Sequence, residues 1–170
     1  MVSKDQIIKE KLDHSGIFNF SELYSYMHTW LKDNLYGVNE ERYSEKVSGA
    51  ARDVSFEWKA TREITEYFKI EHTIRMDVIG LVDVEVEIDG KKKRMNKGKI
   101  AMEIKGVLIK DPKNTWDETK PFYKFLREAY DKYIIPSRVK AMEDKIEGDV
   151  RSFKDEVKAF LELRNIQVKH

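Results

Sequence analysis

A chain of 170 residues with 41% apolar and 37% charged side chains is long enough for one domain, residues 1–170, that buries roughly 70% of its unfolded surface without staples. Its 32 basic and 31 acidic residues nearly cancel, so no global field draws it to nucleic acid or a membrane, and an electrostatic partner must use a local patch. With no cysteine, disulfides, thiolate nucleophiles and zinc ribbons are excluded, and a reducing cytoplasmic setting fits.

The N-terminal Met1-Val2-Ser3-Lys4-Asp5 lacks the apolar core of a signal peptide, and no run approaches the ~20 apolar residues of a membrane span. Residues 5–14 suit either a helix face (Ile7, Ile8, Lys11, Leu12) or a short strand (Ile8, Glu10, Leu12), with strand slightly preferred. Asn19 or Ser21 caps a helix that carries Leu23, Met27, Trp30 and Leu31 on one face, runs to about Tyr36, and meets Gly37 placed to end it in the left-handed conformation. A strand around Arg42 to Val47 breaks at Ser48-Gly49. Val54, Phe56, Trp58 and Ala60 then alternate with polar residues, and Ile70, His72, Ile74, Met76 and Val78 do the same up to Gly80, which predicts a bend or tight reversal.

The clearest local signal follows. Val82, Val84, Val86 and Ile88 alternate with Asp83, Glu85, Glu87 and Asp89, so one face is expected on a core and the other in water. Asp89-Gly90 supplies the two positive-φ residues of a type I′ hairpin turn. The return strand is expected through Met95, with a second turn at Asn96-Lys97-Gly98 and a long strand from Lys99 to about Lys110, stopped by Asp111-Pro112. Pro121 opens a helix carrying Phe122, Phe125, Leu126, Ala129, Tyr130, Tyr133 and Ile134, and Pro136 breaks it. A last helix, about 137–163, places Val139, Met142, Ile146, Val150, Phe153, Val157 and Phe160 at gaps of three and four and is long enough to extend from a small sheet. The expected fold is α+β: one antiparallel sheet of about five to six strands, one face covered by the N-terminal helix and two C-terminal helices, the other wet. Replacing Trp58, Val84 or Ile104 by Ala should cost about 2 to 5 kcal/mol if each is buried as the alternation implies.

Four constellations carry chemistry. Lys91, Lys92, Lys93, Arg94, Lys97 and Lys99 crowd the hairpin tip; they suit phosphates or an anionic membrane surface, although the commoner use of such a run is a solvated turn whose lysines block edge pairing and balance Asp83, Glu85 and Glu87. No aromatic is interleaved, which argues against single-stranded nucleic acid. The aromatic surplus includes Trp30, Trp58, Phe122 and Tyr130, which with the inward-facing His72 can line an apolar pocket between sheet and helices, although core filling is the commoner use of aromatics. A sheet gripping a long C-terminal helix resembles the helix-grip, or START-like, arrangement, and that resemblance implies an apolar ligand in the gap. The stripe of the last helix can instead pair with its copy as a short coiled-coil homodimer or fold back on the sheet.

The fourth constellation, Glu103-Ile104-Lys105 preceded by Asp83 or Asp89, resembles the core signature of the restriction-type nuclease superfamily. The resemblance implies a divalent metal held by the Asp and the Glu, with the Lys steadying the attacking water. Glu57-Trp58-Lys59 repeats the pattern by chance, and the helix-then-strand that the family needs after the motif is missing. No catalytic residue, metal ligand or cofactor site is assigned.

Phe18-Asn19-Phe20 with Glu22-Leu23-Tyr24, Val82 to Gly90, and Tyr133-Ile134-Ile135-Pro136-Ser137-Arg138 are similar to segments of a family of small uncharacterised archaeal proteins. This implies an archaeal, cytoplasmic setting and transfers no activity. The sequence therefore reads first as a non-enzymatic module acting through protein contacts, with itself or another protein, by its C-terminal helix. The alternative is a carrier or sensor of an apolar small molecule or lipid; a metal-dependent nuclease comes third.

Overall fold

The computed structural model describes residues 2–110, 121–129, 132 and 136–167. The alternating segments form five strands: β1 (Ser3–Phe18), β2 (Gly37–Ser48), β3 (Ala51–Glu63), β4 (Phe68–Ile88) and β5 (Lys91–Lys110). Helix α1 (Phe20–Asp33) lies between β1 and β2, and α2 (Pro121–Ala129) and α3 (Pro136–Gln167) follow β5. All neighbours pair antiparallel in the order β1-β5-β4-β3-β2. A meander of β2 to β5 thus accepts the first strand on its far edge, and the fold is α+β on one open sheet. The ambiguous opening segment is strand because β5 partners it from Ser3 opposite Lys110 to Phe18 opposite Asn96.

Two glycines explain why the strand count is five. Gly80 (φ 65°) makes a bulge, with the register shifting between Ile79 and Val82, so the two strands read on either side of it are one strand of 21 residues. The turn expected at Asn96-Lys97-Gly98 is absent. Those residues pair with Phe18, Ile17 and Gly16 on one side, and Asn96 and Lys97 with Asp83 and Val82 on the other. Gly98 answers to crowding instead: a Cβ there would stand 3.2 Å from the Ile79 carbonyl oxygen and 3.3 Å from Leu81 Cα. The Asp89-Gly90 turn has the expected positive φ values, 51° and 76°. Its flanking apolar face is covered less than the alternation implies, since Val82, Val84, Val86 and Ile88 are all half-buried, whereas Trp58 and Ile104 are buried.

Asn19 caps α1, its Oδ1 accepting the Glu22 N–H at 3.0 Å. The left-handed residue that ends the helix is Leu35 (φ 68°), and Gly37 instead opens β2 opposite Thr61. The reversal at Leu35 lets the Tyr36 N–H reach the Leu31 carbonyl at 2.9 Å.

The sheet's helix-facing side is covered by α1 and α3. Ile146, Val150, Phe153, Val157 and Leu161 of α3 are buried in one core with Leu23, Met27 and Leu31 of α1. Contact is so close at Gly106 that a Cβ there would collide with Ile146 Cγ2 and sit 3.0 Å from Val150 Cγ2. Asn165, near the other end of α3, lies beside Gly16 and accepts the Ile17 N–H at 3.5 Å. The helix therefore runs from the Lys110 end of the sheet toward the Asn96 end. Of the two C-terminal helices expected over the sheet, α3 lies there, whereas α2 leaves Phe122 67% and Phe125 65% exposed. Tyr130, Tyr133 and Ile134 lie outside the described residues. The opposite sheet face is wet and laced with charge, as in Arg75–Glu57 at 2.8 Å and Lys9–Glu103 at 3.5 Å.

Candidate functional site

Alternation along β4 sends Ile70, His72, Ile74 and Met76 to the helix-facing side. Three of these are apolar and pack there. His72 is 3% exposed, and neither ring nitrogen has a hydrogen-bond partner. A buried polar atom left unpaired costs about 1 to 3 kcal/mol, so the fold carries this histidine at a loss. Burial drives its pKa down to about 4, with the Asp149 charge opposing and the Lys145 charge adding to the fall. The ring is therefore neutral near pH 7, with one N–H to donate and one lone pair to accept.

Three other elements bring polar groups to this ring. The Leu35 reversal drives Tyr36 inward, where it is 3% exposed and its ring centroid lies 4.7 Å from that of His72. The Tyr36 hydroxyl donates to Asp149 Oδ2 at 2.6 Å, and Lys145, one turn earlier on α3, reaches the same carboxylate at 3.3 Å. Burial, then the Asp149 hydrogen bond and charge, push the Tyr36 pKa far up, while Arg62 pulls against them. Arg62 belongs to the cluster by register. Ala60 stands opposite His72 and Arg62 opposite Ile70, so Arg62 shares the helix-facing side, one pair nearer the end of the sheet. It is half-buried, and among the described residues no acid or hydrogen-bond acceptor engages it. Because Ile146 sits over Gly106 and α3 starts toward Lys110, Met142 and Val139 fall at this end too. They are half-buried, as are Val38, Ile64 and Tyr67.

Of the pocket residues expected from the sequence, only His72 belongs to this cluster. Trp58, opposite Ile74, is next along the sheet but is spent on the core: its Nε1 donates to Glu40 Oε2 at 2.9 Å, and Tyr24 and Phe56 lie at centroid distances of 4.9 Å and 5.0 Å. Trp30 packs on Phe153 at 5.2 Å, Phe122 is exposed on α2, and Tyr130 lies outside the described residues. The basic tip is largely answered by acids: Lys92 with Glu85 at 3.9 Å, Lys93 with Glu22 at 3.3 Å and Arg94 with Asp83 at 2.9 Å, while Lys91 and Lys97 are exposed. The nuclease-like trio is not assembled. Glu103 stands opposite Arg75 and Asp83 opposite Asn96, about 23 Å apart along β5 at 3.3 Å per residue, and Asp89 is farther still. Glu103 and Lys105 are ion-paired on the wet face at 3.6 Å.

Tyr36, Arg62, Lys145 and Asp149 escaped the sequence reading. For Arg62 a signal existed, since it occupies the next inward position after Val54, Phe56, Trp58 and Ala60. Lys145 and Asp149 flank the buried Ile146 and Val150 at a spacing of four, which reads as an ordinary surface ion pair until the helix is placed on the sheet. No family model, curated protein or solved structure matches the chain.

Proposed function

We propose that this chain is a non-enzymatic carrier or sensor that holds a small, mostly apolar molecule between the sheet and the first turns of α3, with His72 meeting its polar part. The observation that carries this reading is the buried His72 ring with both nitrogens unpartnered. An apolar residue of similar size would serve the fold better there, which is the pattern expected where stability is given up for binding. The half-buried apolar residues at this end offer contact for the rest of the molecule, in keeping with the helix-grip arrangement. Self-association through α3 is less well supported, because its apolar stripe from Ile146 to Leu161 is buried against the chain's own sheet. Among the described residues no helix is long and apolar enough to cross a membrane; a cytoplasmic, archaeal setting is part of the proposal and rests on composition and segment resemblance.

Native mass spectrometry of the freshly purified chain tests it. A retained mass of a few hundred daltons, on the order of a drug-sized ligand, that leaves on denaturation and is missing from a folded His72→Leu variant is the expected result. A retained mass that His72→Leu leaves unchanged would contradict the placement, and a bare wild-type chain that takes up no apolar molecule when challenged would contradict the function.

A further inference from the structure

We infer that the molecule held at this site carries a carboxylate, received by the Arg62 guanidinium with the His72 ring N–H as a second donor; this rests on the carrier reading above. Charged groups close on this cluster from several elements: Asp149 and Lys145 of α3 act on His72, Asp149 and Arg62 of β3 act on Tyr36 of the α1–β2 connection, and Arg62 lies one pair along the sheet from His72. Asp149 is already satisfied, by the Tyr36 hydroxyl at 2.6 Å and Lys145 at 3.3 Å. Lys145 is thereby spent. Arg62 is left as the cation of this cluster that no acid meets among the described residues.

A guanidinium presents a planar fork of donors that fits a carboxylate with two parallel hydrogen bonds, and such charge-assisted pairs are about twice as strong as neutral ones. One free cation calls for one negative charge. A phosphate, at about −1.5 to −2 near neutral pH, would leave uncompensated charge beside Asp149, and an alcohol would leave the half-buried Arg62 unanswered. The neutral His72 ring fits the same head: its N–H can donate to a carboxylate oxygen without a second buried cation being required. The partly exposed Val38, Ile64, Val139 and Met142, which pack against the core at this end, surround the head with apolar rather than polar side chains, which makes the ligand class an apolar monocarboxylic acid.

Titrating the full chain by calorimetry near neutral pH with decanoate, decanol and decyl phosphate, each below its micelle concentration, separates these possibilities, with circular dichroism confirming that each variant is folded. Decanoate should bind at least about tenfold tighter than either of the others. Arg62→Gln should abolish that preference, and Arg62→Lys should keep part of it. Decanol or decyl phosphate binding as tightly as decanoate, or Arg62→Gln retaining the preference, would overturn the carboxylate assignment and leave the carrier reading standing. Binding of none of the three would overturn both.

Discussion

Asn96 and His72 are the two buried polar residues among those described, at 9% and 3% exposure, and the fold treats them in opposite ways. Asn96, where β5 meets β1 and the base of the β4–β5 hairpin, has its amide in use. Its Oδ1 accepts the Phe20 N–H at the start of α1 at 2.9 Å, and its Nδ2 donates to Asp83 Oδ1 at 2.8 Å. Around it, Glu22 ties Lys93 of the hairpin to Arg164 of α3, at 3.3 Å and 3.1 Å. At that end of the sheet these contacts tie hairpin to helix, although Glu22 Oε2 and the nearby His14 Nε2 have no hydrogen-bond partner. His72, near the other end, packs on the Tyr36 ring but has no hydrogen-bond partner. Polar burial that is fully satisfied argues for architecture; polar burial left open argues for binding.

Acid should expose the difference most strongly. Because the His72 pKa falls from 6.5 to about 4 on folding, the unfolded chain binds the proton more readily. Its contribution is therefore intact above pH 6.5 and is lost as pH falls toward 4, by roughly 3 kcal/mol in all. His14, also held below its ordinary value by burial, acts in the same direction. Urea titrations across this range should show the loss, and His72→Leu should remove most of it; a variant that keeps the full pH dependence would assign the effect elsewhere. Asn96→Leu should come next, costing about 1 to 3 kcal/mol by stranding the part-buried Phe20 N–H. A negligible change there, read by thermal unfolding, would erase the contrast on which the comparison rests. Smallest is Val84→Ala. The residue is half-buried on the hairpin, so the loss should stay below about 1.5 kcal/mol, against about 2 to 5 for the buried Ile104→Ala.

What the sequence carried was local. Asp89-Gly90 and the alternation around it gave a hairpin, the Asn19 cap gave the start of α1, and inward placement of His72 followed from period two alone. What it lacked was relational. Gly98 reads as a turn residue because the bulge that crowds it comes from β4, and Gly37 reads as a helix end because an unfavoured Leu35 takes the left-handed conformation instead. Val82 to Ile88 alternate as cleanly as a core strand, yet they belong to the part of the β4–β5 hairpin that extends past the register of β1 and β3. The His72 cluster was out of reach for the same reason: its members come from β3, β4, the α1–β2 connection and α3, and only the docking of α3 over Gly106 brings them together.

The most direct test is the unfolding free energy of His72→Leu against the wild type near neutral pH, with ligand removed from both. A more stable variant is expected, by about 1 kcal/mol or more, because two unpartnered buried nitrogens are exchanged for apolar atoms. A variant destabilised by a similar amount would mean that the histidine serves the fold, and the binding site built on it would fall.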